Sequence, residues 1–304
     1  MAMKHQIQSF LHTFSFPAEA ADALLTAFDN LAANPAAFSK FMAPVHCYFD
    51  DTLTDYAGAI RELEAVAQET GIHKYTIWML FFIALTPHAR QRYAARHLPN
   101  SIFYNSMSDL KYKLLECHKL HGVWGTMAAD WYPRFFALTR FALGRLQFET
   151  TTLQEEYEKN GRQLSKDDIV VNIHIPSSGP LRHEDCLDAY RQAAAFFQAD
   201  FPGCPVAFVC NSWLLYPAHR PLLPAQSNIV KFMDDFEILS IREDAEGRNL
   251  WRIFNVDYHG DWHCLPQETT LQKAYVSLLK NGQTTGTAKG VFFHDGERIL
   301  PREE

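Results

Sequence analysis

Between Ala18 and His121 the apolar residues recur every three or four positions, as in Ala23, Leu24, Ala27, Phe28 and Leu31, and again in Ile60, Leu63 and Ala67. That period gathers them on one face of an α-helix and predicts about six helices across the stretch. Proline and glycine supply the punctuation. Pro17, Pro35 and Pro87 each stand where a first helical residue would be, and Asn34 and Thr86 precede two of them as caps. Gly71 is placed to close a helix over residues 55–70. The longest apolar run, Ile77 to Leu85, falls well short of the roughly 20 residues that span a bilayer and reads as buried helix.

After Gly122 the period changes from helical to alternating. Phe141 to Glu149 alternates, while Asp168 to Ile175 and Val206 to Trp213 are β-rich runs, so all three are predicted as strand. Between the last two, CLDAYRQAAAFFQADF sets Leu187, Tyr190, Ala194, Phe197 and Phe201 on one helical face. Strand, loop, helix and strand make a βαβ unit, whose two strands should run parallel. Pro224 to Asp235 reads as a further helix. Glu237 to Ile241 and Leu250 to Val256 read as hairpin arms around a turn at Glu243 to Gly247, and Gly290 to Phe293 as a last short strand. The fold class expected is α+β: a helical N-terminal domain over residues 1–122 and a mixed α/β sheet domain over 123–304, with no internal repeat.

Composition narrows the partners. With 47% hydrophobic residues in 304, the chain can fill a core without staples. Its 28 Lys and Arg against 35 Asp and Glu, a net charge of -7, leave no basic footprint for nucleic acid or an anionic membrane. The six cysteines form no CxxC pair, and MAMKHQIQSFLHTF lacks the unbroken apolar core of a signal peptide, so a reducing cytoplasm is expected.

Strand alternation also sorts the candidate chemistry by face. In DIVVNIHI it puts Val170, Asn172 and His174 on one side and Ile169, Val171, Ile173 and Ile175 on the other. A histidine beside an asparagine suits a general base with a group to orient a carbonyl or water; a histidine that merely bonds a loop is the plainer alternative. In FALGRLQFE, Arg145, Gln147 and Glu149 share a polar face, either solvated or the floor of a cleft. Cys210, on one face with Val206, Phe208 and Ser212, is either an inert buried thiol or a nucleophile approached by His174. The loop Pro176 to Leu181, with Ser177, Ser178 and Gly179, enters a helix and could present N–H groups and hydroxyls to an anion. Arg182 and His183 favour such an anion, whereas Glu184 and Asp185 oppose it. Cys117, His118 and His121, and likewise His259, His263 and Cys264, have ligand-like separations but complete no four-ligand set, so no metal is expected.

The phrases FALGRLQFE, NIHIPSSGPL, CNSWLLYP and SNIVKF resemble those of bacterial acyltransferase-domain proteins that join a helical N-acyltransferase domain to a GNAT-like C-terminal domain. The resemblance covers nearly the whole chain. It implies direct transfer of an acyl group from acyl-coenzyme A to an amine or hydroxyl of a small molecule or peptide. By the same likeness the backbone of Ile173 and Ile175 would meet acyl-coenzyme A, and Ser177, Ser178, Gly179 and Arg182 would receive its diphosphate. The pantetheine arm would pass beside Ser212 and Trp213. His174 or Glu149 would take the acceptor's proton, Tyr216 would protonate the departing thiolate, and Arg145, Gln147 and Asn172 would face the substrate. The usual phosphate signature of that fold, Gln or Arg followed by x-x-Gly-x-Gly/Ala, is absent from PSSGPLRHED. Two alternatives therefore stay open: a non-catalytic ligand-binding or assembly module, and a Cys210-dependent covalent enzyme. The helical half is expected to shape the acceptor pocket or to offer a homodimer surface.

Overall fold

The helix signals of the first half act mostly where the sequence sets them. The computed structural model describes residues 2–159 and 161–301, and begins with α1 (Ala2–Thr13). Six helices then fill residues 18–121: α2 (Ala18–Ala32), α3 (Pro35–Phe49), α4 (Tyr56–Thr70), α5 (Lys74–Ala95), α6 (Asn100–Met107) and α7 (Asp109–His121). Asn34 Oδ1 accepts from the Ala37 N–H at 3.2 Å with Pro35 as first helical residue, and Gly71 ends α4 at φ +69°.

Two proline readings are corrected. Pro17 is the N-cap residue of α2 rather than its first residue, and Pro87 lies inside α5. A proline there deprives the carbonyl four residues back, that of Ile83, of its N–H donor. The Thr86 hydroxyl replaces the donor at 2.7 Å, so Thr86 mends the helix it was expected to begin. Ile77 to Leu85 is buried on every side, which marks α5 as the core helix of this half.

Internal contacts divide the chain into residues 1–141 and 142–304. The segment after Gly122 belongs with the helices because its short helix α8 (Pro133–Phe136) is bonded to them. Tyr93 donates to the Phe135 carbonyl at 3.2 Å, and Tyr48 and Arg92 to that of Phe136 at 3.0 and 3.1 Å.

The second unit is built on a six-stranded sheet of order β1-β2-β5-β6-β8-β7. Its strands are β1 (Arg140–Leu143), which straddles the division, β2 (Leu146–Thr152), β5 (Ile169–His174), β6 (Val206–Ser212), β7 (Glu237–Asp244) and β8 (Thr285–His294). A separate hairpin pairs β3 (Tyr157–Lys159) with β4 (Arg162–Leu164). β5 and β6 are parallel, as expected from the crossover through α9 (His183–Phe197), and the other pairings of β2, β5, β6, β7 and β8 are antiparallel. α10 (Asn228–Asp234) follows β6, capped by Ser227 and starting later than Pro224.

Two strand readings also change. The alternating run Phe141 to Glu149 is two strands folded back at Gly144 and Arg145, a turn too short to break the period. The arms of the expected hairpin are β7 and β8, not residues 237–241 and 250–256. The turn at Gly247 exists, with its N–H donating to Asp244 at 3.1 Å, but it leads into α11 (Trp251–Phe254). Leu250, Ile253 and Phe254 have helical spacing, and they pack with Leu265 and with Tyr275 and Val276 of α12 (Thr270–Lys280). Residues 245–284 thus hold a small core of their own between the two hairpin arms.

Candidate functional site

β5 and β6 are paired only at Val171 with Phe208 and Asn172 with Val209, although β5 runs on to His174 and β6 to Ser212. Each follows its outer neighbour instead: His174 still pairs with Gln147 of β2, and Ser212 with Ala288 of β8. Two strands held to diverging partners must part, so a gap opens past Asn172 and Val209, edged by the backbone of Ile173 to Ile175.

At the mouth of the gap lies a cleft of about 440 Å³ lined by Ile175, Leu181, Leu214, Leu223, Ile229 and Leu271 among others. The loop from β5 to α9 forms one wall, and the Arg145 guanidinium grips it from the β1–β2 turn. Nε donates to the Pro180 carbonyl at 3.0 Å, Nη1 to that of Pro176 at 3.0 Å and Nη2 to that of Gly179 at 2.8 Å. Gly179 sits at φ +117°, a region that side chains exclude, which is what turns its carbonyl onto the arginine.

One sheet face carries the acid–base pair. Glu149 and Asn172 are register partners, and His174 Nε2 lies 2.7 Å from Glu149 Oε1 and 3.1 Å from the Asn172 amide nitrogen. The Glu149 side chain is 3% exposed and that of His174 20%. A carboxylate so buried needs a partner, and it fixes the imidazole with Nε2–H donating, so that Nδ1 is the basic nitrogen of the neutral ring. The sequence reading placed Asn172 and His174 on one face of their strand and Glu149 on the polar face of another, and the β2–β5 register brings the three together.

The comparisons with known proteins agree with this architecture. A family model described as GNAT-like C-terminal domain matches residues 140–292, just over half of the chain. The chain belongs to the GNAT-like C-terminal domain family. In this GNAT-like protein a second model, N-acyltransferase N-terminal domain, matches residues 5–138. Solved structures share its fold, among them three acyltransferases. An acyltransferase in complex with decanoyl-CoA is 25% identical at TM-score 0.74, with 93% of this chain and 86% of that one covered. An acyltransferase in complex with decanoyl-CoA and teicoplanin is 21% identical at 0.73, covering 96% and 87%. A mutant acyltransferase in complex with octanoyl-CoA is 20% identical at 0.73, covering 98% and 88%. A comparison with curated protein sequences finds no match.

The remaining candidates of the GNAT-like unit lie elsewhere. Cys210 is fully buried on the face opposite His174, and burial pushes its thiol far up, away from the thiolate form. Nothing in that setting makes it a nucleophile. Ile173 shares that opposite face and is buried. Gln147 is buried beside His174 on the polar face. The Ser212 hydroxyl accepts from the Leu214 N–H at 3.1 Å, and Trp213 packs edge-on to Tyr275. Arg182 is tied to Asp185 at 2.8 Å, which neutralises one of the two carboxylates at the start of α9. Ser177 and Ser178 belong to the gripped loop. Tyr216 bonds Thr284 Oγ1 at 3.3 Å, and its ring lies where a side chain on Gly286 would be, so Gly286 admits no other residue. Alternation along β8 sets Gly286 on the side of Phe292, where Tyr190 of α9 also packs. Tyr216 is therefore on the α9 side of the sheet and Glu149 on the other.

Sequence reasoning missed the cleft role of Leu223 and Leu271, which carry no motif, and of Leu214 and Ile229, which fall in the phrases CNSWLLYP and SNIVKF; all four reach the cleft from separated segments. Among the described residues no group of three or more His, Cys, Asp or Glu is placed to hold a metal. His118 stacks on Trp124 and His121 contacts Met127. No described helix is long and apolar enough to cross a membrane.

Proposed function

We propose that this protein transfers an acyl group from acyl-coenzyme A to an amine, with the donor in the cleft between β5 and β6 and the acceptor approaching from the Glu149–His174 face. The observation that carries the reading is the parting of two parallel strands above an apolar cleft whose wall is a gripped loop. A thioester threaded through that gap would have its carbonyl beside the peptides of Ile173 to Ile175, past the last pairing with β6, where an N–H can meet the developing oxyanion. The cleft volume suits an aliphatic chain or a pantetheine arm. The acyltransferases of like fold hold octanoyl- and decanoyl-CoA, and one also holds teicoplanin, which supports a medium-chain donor and a small-molecule or peptide acceptor. The amine is supported by the N-acyltransferase domain at residues 5–138.

In the transfer, the acceptor nitrogen adds to the thioester carbonyl, His174 takes its proton, directly or through water, and the carbon–sulfur bond breaks to release coenzyme A. Glu149 holds the imidazole and stabilises the imidazolium, and Asn172, on the same face, orients the acceptor or a water. Tyr216, two residues beyond the cleft-lining Leu214, is the proton donor to the thiolate leaving on the opposite side. The six cysteines are free, which supports a reducing cytoplasmic setting. Calorimetric titration with octanoyl-CoA tests the reading, together with Leu271→Trp to fill the cleft. Saturable micromolar binding, weakened about tenfold or more by the tryptophan, is expected; no binding at millimolar donor would refute it.

A further inference from the structure

We propose that Arg145 is the positioning residue that fits the β5–α9 loop to the donor's diphosphate, in place of the glycine signature that this chain lacks. The inference rests on the acyl-coenzyme A reading above. In a trans peptide the carbonyl of one residue and the N–H of the next point in opposite directions. With the Pro176 and Pro180 carbonyls drawn onto Arg145, the N–H groups of Ser177 and Leu181 are turned to the far side of the loop. The third bonded carbonyl, Gly179, precedes a proline and so turns away no N–H. A glycine-rich turn reaches a comparable presentation of amides through backbone freedom; here a five-residue segment bounded by Pro176 and Pro180 is rigid and is set from beneath by one planar fork.

The geometry calls for arginine in particular. Three donors leave one guanidinium in different in-plane directions at 2.8 to 3.0 Å, each to a different carbonyl, and no lysine can match that pattern. The fixed positive charge under the loop also favours an anion above it. Since Arg182 is engaged with Asp185 on the surface, Arg145 is the cation bonded to the loop itself.

The test compares two donors in the full-length protein. Octanoyl-CoA carries the diphosphate, whereas octanoyl-pantetheine lacks it. Arg145→Gln and Arg145→Lys should both weaken octanoyl-CoA about tenfold or more and leave octanoyl-pantetheine unchanged. In the ligand-free protein, trypsin should cut after Arg182 faster in Arg145→Gln than in the wild type, as the loop loosens. Unchanged octanoyl-CoA affinity in Arg145→Gln would overturn the inference, and so would an equal loss for both donors, which marks general damage. Restoration by lysine would show that charge rather than the fork is at work, and overturns it too. Failure of the wild type to bind octanoyl-CoA at all would instead refute the donor reading and take this inference with it.

Discussion

Acidification should destabilise the fold through one histidine, bonded to the cleft-lining Leu214. His219 is fully buried, its Nε2–H donating to the Leu214 carbonyl at 3.1 Å and its Nδ1 accepting from the Tyr275 hydroxyl at 2.9 Å. Desolvation lowers its pKa from 6.5 to about 4, partly offset by the Leu214 bond. The Tyr275 hydroxyl can turn to accept from a second proton, so the cost lies in burying the charge rather than in a lost partner. The unfolded chain protonates this imidazole near 6.5 and the folded chain resists until about 4, so between those values the unfolded state binds more protons. The stabilisation is complete above 6.5 and is lost as pH falls toward 4. The full window amounts to ~3 kcal/mol, and the step from pH 7 to pH 5 to about 2 kcal/mol. Urea unfolding at pH 7, 6 and 5, for the wild type and His219→Gln, isolates the effect, because other buried groups such as His294 cancel in the difference. Glutamine can keep both bonds without titrating. The wild type should lose about 2 kcal/mol more than the variant over that range; parallel profiles would refute the reasoning.

Three further outcomes follow from the same structure. Glu149→Gln and His174→Ala should each lower kcat about 10²- to 10³-fold with little change in donor Kd, as a general base and its holder require; stopped-assay kinetics alongside calorimetry would show otherwise if binding were lost with rate. Thr86→Val keeps the shape of the side chain but leaves the Ile83 carbonyl unmet in the core of α5, and should cost about 1–3 kcal/mol in chemical denaturation. Cys210→Ala should keep full acyl-transfer activity while lowering the melting temperature, and thiol alkylation of the native protein should leave Cys210 unlabelled by peptide mass mapping.

Much of the fold could be read from period and punctuation. The six helices of residues 18–121, the parallel pair β5 and β6 and the connecting α9 each have a local signal that agrees with the packing. Errors came where a local signal has two solutions. Pro87 in a helical pattern normally marks a start, but the buried run before it and the Thr86 hydroxyl carry the helix through. Leu250 to Val256 has the apolar content of a strand, and only its i, i+3, i+4 spacing tells it from one. The partner of β7 was misassigned because it lies beyond residue 284, and sheet pairing across such a span leaves no trace in either strand. At the site, alternation put Asn172 with His174 and Glu149 with Gln147, but that the two faces would join depended on the register of β2 against β5. Alternation could not foresee that Arg145 would turn aside at the hairpin to hold a loop, since that depends on where the β1–β2 turn and the β5–α9 loop meet in space.

The segment between β7 and β8 gives this protein a part with a core of its own. Thr270 and Leu271, at the start of α12, close one side of the cleft, yet residues 245–284 contribute nothing to the hydrogen-bond ladder of the sheet. On the proposed donor site, changes at Thr270 and Leu271 should alter chain-length preference while Glu149 and His174 stay as they are, whereas Tyr275 and Thr284, which bond His219 and Tyr216, are the part of the segment to leave in place.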